Sequence, residues 1–583
     1  MKYEWKLDVP SNEDLEDGNP GNILVAAALH NRGIPIEKAR DMIEFSYEGM
    51  DVPLRLINMQ KAIETIKHFL DNPNGHIYIF GDYDADGITS TVIAVQCLNH
   101  FHAILHPEDT EWCPYHRIPE REEGYGLSKD WCNNLVAFES GNESNVLVIT
   151  VDNGITKKDA VSILQEHGIT VLITDHHTPD FENHMTPDCT CVDPQIDEWR
   201  TGAFLAGCGV IFNIMRYFEN VYLNGDHTAT DEYEYLMAIG TVGDMMRMDY
   251  YHGCVVALGL KRMNSSSCPQ WLQEIKDCLN IEYVTGKTIG FSIAAFLNAC
   301  GQAGKASIAL NIILEPDMLE RDKLIREAFQ IYNTVKTETK KEKERAELEI
   351  KETGMDQHSV IIYGIQTDLP GIAGKIAYHL TELTNKPAIV YLEKEGDTIK
   401  GSARNVNESI PFYNLLKEAQ RKGYIVSANG HMFAQGCELI KEQLPQFIEF
   451  MDQSIQNLID TGESTLHFKR ELSVDQIITP DDITMQNVKA IEAFPFTNNW
   501  KEPSVCILNA ALKKVHKSQN NERNVCYTVQ NSKGQNVEFW AWNLHPNIYN
   551  PEKHTHISLV GTLSRDFRNS HKPMFNITDF KLA

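Results

Sequence analysis

The sequence contains no pair of cysteines at Cys-x-x-Cys spacing. Its thirteen cysteines are scattered singly, apart from Cys189 and Cys191, which one residue separates. That absence removes the usual zinc ribbons and fingers and leaves nothing resembling a disulfide framework, so free thiols in a reducing cytoplasm are expected. No apolar run approaches the length of a membrane span. The polar, acidic start MKYEWKLDVPSNEDLEDGNP lacks the pattern of a signal or transit peptide. Basic charge is also scarce: 53 Lys and Arg stand against 81 Asp and Glu, a formal net charge of -28. A protein coated in basic surface for nucleic acid is thereby excluded, although a local basic channel is not. From Asn499 onward the balance reverses, with 11 Lys and Arg against 6 Asp and Glu.

What is present is ample apolar material, 42% of 583 residues, enough for three or four domains with large cores. Internal repeats are absent. In the first half, continuous apolar runs (HIYIF, 76–80; NVLVITV, 145–151; ITVLIT, 169–174; CTCVD, 189–193) alternate with helical patterns such as 88–101 and 157–167. This alternation predicts a doubly wound parallel α/β sheet. Residues 319–351 contain neither proline nor glycine and interleave opposite charges, which predicts a long solvated helix joining two lobes. A second α/β pattern follows (SVIIYG, a helix from about Gly371, PAIVYL, TIKGSAR). From about Glu471 many short β-like runs separated by polar turns predict a small β-barrel.

The chemistry-bearing residues sit where predicted strands end, the edge at which open α/β sheets bind ligands. HIYIF runs into Gly81-Asp82-Tyr83-Asp84-Ala85-Asp86-Gly87. NVLVITV runs into Asp152-Asn153-Gly154, and ITVLIT into Asp175-His176-His177; a fourth acid, Asp244, follows the helix-like EYLMAIGTV. The alternating aspartates imitate the start of an EF-hand loop. The twelfth position, however, is Ile93 rather than a bidentate Glu, and a strand rather than a helix precedes. Each acid alone would more often be a cap or turn residue. The set is what chance does not supply, and carboxylates with one or two imidazoles suit oxygen-preferring divalent ions such as manganese or magnesium. Two such ions bridged by one aspartate would activate water for in-line phosphoryl displacement.

GDYDADG, TVDNG, TDHH and AIGTVGDMM, in that order, resemble the four motifs of the DHH phosphoesterases, and within them the RecJ-type single-strand-specific DNA exonucleases. The resemblance extends through YHRIPEREEGYGL (115–127), LAGCGV (205–210), FLNACG (296–301), GIAGKIA (371–377), GSAR (401–404), NGHMFAQG (429–436) and AFPFTNNWKEP (493–503), and so covers nearly the whole chain. It implies an N-terminal helical segment (1–50), a DHH lobe (51–318), a connecting helix (319–355), a DHH-associated α/β lobe (356–464) and an OB-fold single-strand-binding barrel (465–583). It implies two Mn2+ or Mg2+ ions held by Asp82, Asp84, Asp86, Asp152, His176 and Asp244, with Asp152 bridging. Asp175 would orient its neighbours, and His177 would contact the scissile phosphate. Asn298, Arg404, Gly430 and His431 would bind substrate. In the barrel, Phe539, Trp540, Trp542, Phe567 and Phe575 near Lys513, Lys514, Lys517, Arg565 and Arg568 suit base stacking and phosphate tracking, about half of the aromatics being core.

The implied activity is 5′-to-3′ hydrolysis of single-stranded DNA in repair and recombination. The chain would act as a monomer, with a single-strand-binding protein and a helicase as expected partners. The alternatives are a DHH phosphodiesterase for short oligonucleotides or cyclic dinucleotides, and a catalytically silent scaffold. Three positions depart from the family pattern: Gln302 stands for the Arg of NAxGR, Gly243 for Ala in GTVGD, and Asn429 for Gly before Gly430-His431. None of these removes a metal ligand.

Overall fold

The computed structural model describes the chain from Tyr3 to Leu582, except residues 8, 12–14, 16–21, 36–37, 39–41, 43–55, 182–183, 198–203, 226, 395, 406–408, 431–433, 465–469, 498, 519–523, 543–554 and 567–568. In the first lobe five strands lie in the order Tyr115–Arg117, His76–Phe80, Val146–Val151, Thr170–Thr174, Thr190–Val192, every neighbouring pair parallel. The apolar runs are continuous because both faces are covered. Ile77, Ile79, Leu147, Ile149 and Val151 enter one core with the helices Ala85–Leu105, Gly207–Tyr222 and Glu234–Gly243. The alternate residues Tyr78, Phe80, Val146 and Val148 enter a second core with Lys129–Phe138 and Lys158–Glu166. The register pairs Phe80 with Thr150 and Val151 with Thr174, so Asp82, Asp152 and Asp175 leave three adjacent strands at one edge.

Helix Ala85–Leu105 passes the length and mean-composition test for a membrane span, although it holds no unbroken apolar run of that length. Its apolarity belongs to the core: Ile88, Val92, Ile93, Leu98 and Phe101 are at most 1% exposed, between the sheet and Gly207–Tyr222. A helix buried on all sides reads like a membrane span because neither environment supplies water.

The connecting helix spans Met318–Glu352, about 52 Å at 1.5 Å per residue. Asp317 caps it by accepting from Leu319 and Glu320 N–H. Ile325 and Ala328 pack on the first lobe, Ala346 and Ile350 on the second, which makes the helix a brace between them. The second lobe is a mixed sheet ordered Ile425–Gly430, Ala434–Ile440, Thr398–Arg404, Ala388–Leu392, Ile361–Ile365. The C-terminal strands Val505–Lys517, Val525–Gln530, Asn536–Ala541, Asn569–Leu582 and His556–Asp566 close into a barrel by pairing the first with the last. Gly561 lies where the register shifts, and a Cβ there would stand 2.0 Å from Asn576 O.

The segment 1–50, expected to be helical, begins instead with strand Tyr3–Leu7, which pairs in parallel with Arg470–Val474. Helix Ile23–Asn31 follows and packs on helix Met485–Ala493, while Arg32 pairs with Asp475 at 3.2 Å. The first residues therefore complete the C-terminal region. Sequence pattern does not reveal this, because a five-residue strand gains its partner from 467 positions away.

Candidate metal centre

The loop after His76–Phe80 turns at once into helix Ala85–Leu105. Asp84 is the N-cap, its Oδ1 accepting from Asp86 N–H (2.9 Å) and Gly87 N–H (3.1 Å). Asp86 points instead at the start of helix Gly207–Tyr222 and accepts from Gly207 N–H (2.7 Å) and Cys208 N–H (2.9 Å), a favourable end of the helix dipole for an anion. Asp152 adopts φ 62°, rare for a non-glycine residue, and Gly154 follows at φ 115°. Asn153 braces this turn, donating to Phe80 O (3.1 Å) and Val151 O (3.0 Å) and accepting from Leu127 N–H (3.2 Å). A Cβ on Gly207 would stand 2.5 Å from that of Asp152, so only glycine admits the two so close.

These turns gather the acids. Ligand atoms of Asp82, Asp84 and Asp152 lie within 4.8 Å of one another, as do those of Asp86, His176 and Asp244, and of Asp152, His176 and His177. His176 Nε2 stands 3.0 Å from Asp152 Oδ1, 3.7 Å from Asp86 Oδ2 and 3.8 Å from Asp244 Oδ2. Asp175 lies beneath both histidines. Its Oδ1 accepts from His176 N–H (2.7 Å), His177 N–H (3.2 Å) and His177 Nδ1 (2.8 Å), and its Oδ2 from Ile155 N–H (2.9 Å).

Burial, and then the neighbouring carboxylates, push Asp82, Asp152 and Asp244 well above the usual carboxylate range, and Asp84 upward. Asp82 Oδ1 is buried without a hydrogen-bond partner among the described residues, and Asp152 Oδ1 is buried with only the His176 imidazole at 3.0 Å. Buried carboxylates this close cannot all ionise without a compensating cation. The donor set, five carboxylates and one imidazole nitrogen in two triads that the Asp152–His176 contact joins, fits hard divalent ions. Asp175 and His177 form a different pair. Burial opposes charge on both, yet their mutual attraction and hydrogen bond win, holding Asp175 down at about 2 and His177 up at about 10.

The substrate-binding expectations fare unevenly. Asn298, on helix Ala295–Gln302, turns its Oδ1 to Ala85 N–H (2.7 Å) and so supports the Asp84–Asp86 loop. Arg404, at the end of strand Thr398–Arg404, lines the cleft; burial, with repulsion from Arg121, lowers it to about 10. Gly430 ends strand Ile425–Gly430, and His431 lies outside the described residues. Gln302 packs against Gly371 of the second lobe with its Oε1 buried and unpartnered. In the barrel, Phe539, Phe575 and Trp540 are buried, whereas Trp542 is 36% exposed and stacks on Trp540 at 5.2 Å. Arg565, expected to meet phosphate, is held by Glu492 at 2.7 Å. Phe567 and Arg568 lie outside the described residues.

Four residues escaped sequence reasoning. Tyr125 Oη contacts His177 Nδ1 (3.0 Å) and donates to Asp152 O (3.2 Å), and Gln195 Nε2 donates to His176 O (2.5 Å). Arg121 lies over the Tyr83 ring and Lys157 over that of Tyr125, each within reach of the Asp82 charge. Arg121 and Tyr125 belong to YHRIPEREEGYGL, so the signal was a motif to which no role was attached.

The centre faces a cleft of about 4570 Å³ walled by both lobes and the C-terminal region. Twelve Lys and Arg line it against ten Asp and Glu, in a chain of net charge -28. The cleft is therefore close to charge balance and less acidic than the chain as a whole.

Comparison with known proteins agrees with this architecture. Residues 76–241 match the DHH family N-terminal domain, 358–457 the DHHA1 domain and 474–579 the RecJ OB domain. The single-stranded-DNA-specific exonuclease RecJ of Bacillus subtilis is 28% identical over 99% of this chain and 71% of its own length. That of Escherichia coli is 23% identical over 86% of each. The crystal structure of Thermus thermophilus RecJ in complex with Mn2+ superposes with a TM-score of 0.79 at 21% identity, covering 100% of this chain and 80% of that one. Residues 76–241 thus carry a DHH domain, followed along the chain by a DHHA1 domain and a RecJ-type OB domain.

Proposed function

We infer that the chain is a metal-dependent exonuclease that hydrolyses phosphodiester bonds of single-stranded DNA. The observation that carries this reading is the pair of acid-rich ligand groups reaching, through His176 and Asp244, a cleft that twelve Lys and Arg also line. Asp82, Asp84 and Asp152 would hold one Mn2+ or Mg2+ ion, and Asp86, His176 and Asp244 the other, with Asp152 shared. Such a pair activates water and stabilises the charge of an in-line displacement. His177, kept cationic by Asp175, donates to a non-bridging oxygen of the scissile phosphate. Arg404 binds a further phosphate, and its guanidinium has no carboxylate partner among the described residues to compete.

Digestion of single strands labelled at either end, with and without a 5′-phosphate, tests the reading. Release of mononucleotides from the 5′ end supports it, and attack from the 3′ end removes the polarity inferred from the family. Long strands should outcompete dinucleotides as substrates; the reverse order favours a small-substrate phosphodiesterase. Calorimetric titration that finds no catalytic metal pair would instead indicate a silent scaffold.

Two substitutions separate positioning from binding. Asn298→Ala strips the Ala85 N–H of its acceptor, and we expect the metal concentration for half-maximal rate to rise about 10- to 100-fold, as for other outer partners of metal ligands. Arg404→Ala is expected to weaken binding of all strand sequences alike and to flatten the salt dependence by about one phosphate contact. Fluorescence anisotropy across a salt series measures the second; an unchanged slope removes Arg404 from the phosphate path.

A further inference from the structure

We propose that Phe291 is a stacking platform for a nucleobase next to the scissile phosphate, so that the enzyme reads an intact base there as well as the backbone. The proposal rests on the nuclease reading above. Phe291 is 65% exposed, although Ile289, Ile293, Ala294, Phe296 and Leu297 of the same segment are at most 1% exposed. It lies in a π-helical turn, Ile289–Ala294, a rare geometry that recurs at functional sites. That turn packs on helix Glu234–Gly243, whose C-cap is Asp244, and a Cβ on Gly243 would lie 3.2 Å from that of Ala294. It continues directly into helix Ala295–Gln302, which carries Asn298. The turn is therefore fixed against the metal centre from both ends.

Phe291 lines the same cleft as Asp244, His176 and His177. Met245, 44% exposed at φ 56°, and Phe204, 51% exposed, line it too. All three line this one cleft, and exposed apolar side chains in a cleft suit a binding surface. The occupant is set by what the cleft admits. A strand whose phosphate sits at the acids has its backbone drawn to Arg121, Lys157 and Arg404, leaving its bases to meet the apolar wall. An aromatic face accepts every base, which suits an exonuclease that must not stall on sequence.

The test pairs substitution with base removal in the full chain. Single strands carrying one abasic residue at the first, second or third position from the attacked end are compared with intact strands, for wild type, Phe291→Ala and Phe291→Tyr. Wild type is expected to lose about 5- to 100-fold in kcat/KM at one abasic position. Phe291→Ala should lose a similar factor on the intact strand and nothing further from the abasic residue, while Phe291→Tyr should restore both rate and abasic penalty. An abasic penalty in Phe291→Ala equal to that of wild type, or an unchanged rate on intact strands, overturns the proposal. A second readout does not need turnover. In chelator, 2-aminopurine at the sensitive position should be quenched by wild type and by Phe291→Tyr but not by Phe291→Ala. Quenching by all three overturns the proposal even if cleavage is seen. Absence of both cleavage and strand binding in wild type overturns the nuclease reading instead. Since the side chain is largely exposed, the alanine variant should melt with wild type, and its melting curve checks this.

Discussion

Asp152→Ala should abolish single-strand hydrolysis, lowering kcat by at least about three orders of magnitude while the protein stays folded. Asp152 belongs to two of the three ligand groups, through Asp82 and Asp84 on one side and His176 and His177 on the other. Removing it takes away the only carboxylate the groups share, and electrostatic groups aimed at developing charge are individually worth about 10² to 10³ in rate. Folding should survive because, although alanine bears φ 62° somewhat worse than aspartate, the substitution removes a buried carboxyl crowded by Asp86, Asp84 and Asp82. The check is single-turnover cleavage beside calorimetric titration with Mn2+. Full activity in Asp152→Ala, or activity that persists under complete chelation, would sink the two-metal reading.

The second large effect is a coupling of metal, pH and stability. In the metal-free protein Asp82, Asp84, Asp152 and Asp244 have pKa values raised by burial and mutual repulsion. A carboxyl with a raised folded-state pKa contributes stability that is present below its unfolded value and is lost as pH rises through the folded value. Chelated protein should therefore melt at lower temperature as pH climbs from about 5 to 8. Asp175 and His177 act in the opposite sense over other windows. Asp175, at about 2, contributes stability above the usual carboxylate range that is lost as pH falls through 2. His177, at about 10, contributes stability below the usual imidazole range that is lost as pH rises through 10. Saturating Mn2+ should cancel the carboxylate slope and add about 2.7 kcal/mol at one hundred times Kd. Thermal melts at several pH values, with chelator and with Mn2+, measure this; parallel slopes in the two series would show that these acids do not share a cation.

Much of the site was legible because its residues sit at strand ends, and strand ends can be read from apolar runs that stop at Gly or Asp. HIYIF, NVLVITV and ITVLIT each gave a strand and the acid beyond it, and the parallel register did the rest. Tyr125, Gln195, Arg121 and Lys157 were not legible in the same way. Each acts on a residue reached only through the folded backbone, and tyrosine, glutamine and lysine are common on ordinary surfaces. The motif around Asn298 does not tell which way its side chain turns; in the fold its Oδ1 accepts from Ala85 N–H. Arg565 was read as a phosphate contact because nothing in the chain near it announces Glu492, 73 residues earlier.

The sequence by itself singled out the candidate ligands, the chemistry of the ions they suit and the alternation of α/β and β patterns along the chain. These follow from residue type and from local periodicity, which each segment carries alone. Only the tertiary structure decided how the acids divide into triads, which of them are capped by helix ends, and which cations of an acidic chain line the cleft. It alone put the first strand beside Arg470–Val474 and buried the membrane-length helix Ala85–Leu105 in a core. The physical reason is distance along the chain. Charge repulsion, desolvation and strand pairing act between groups brought together by folding, and no local pattern encodes a neighbour hundreds of residues away.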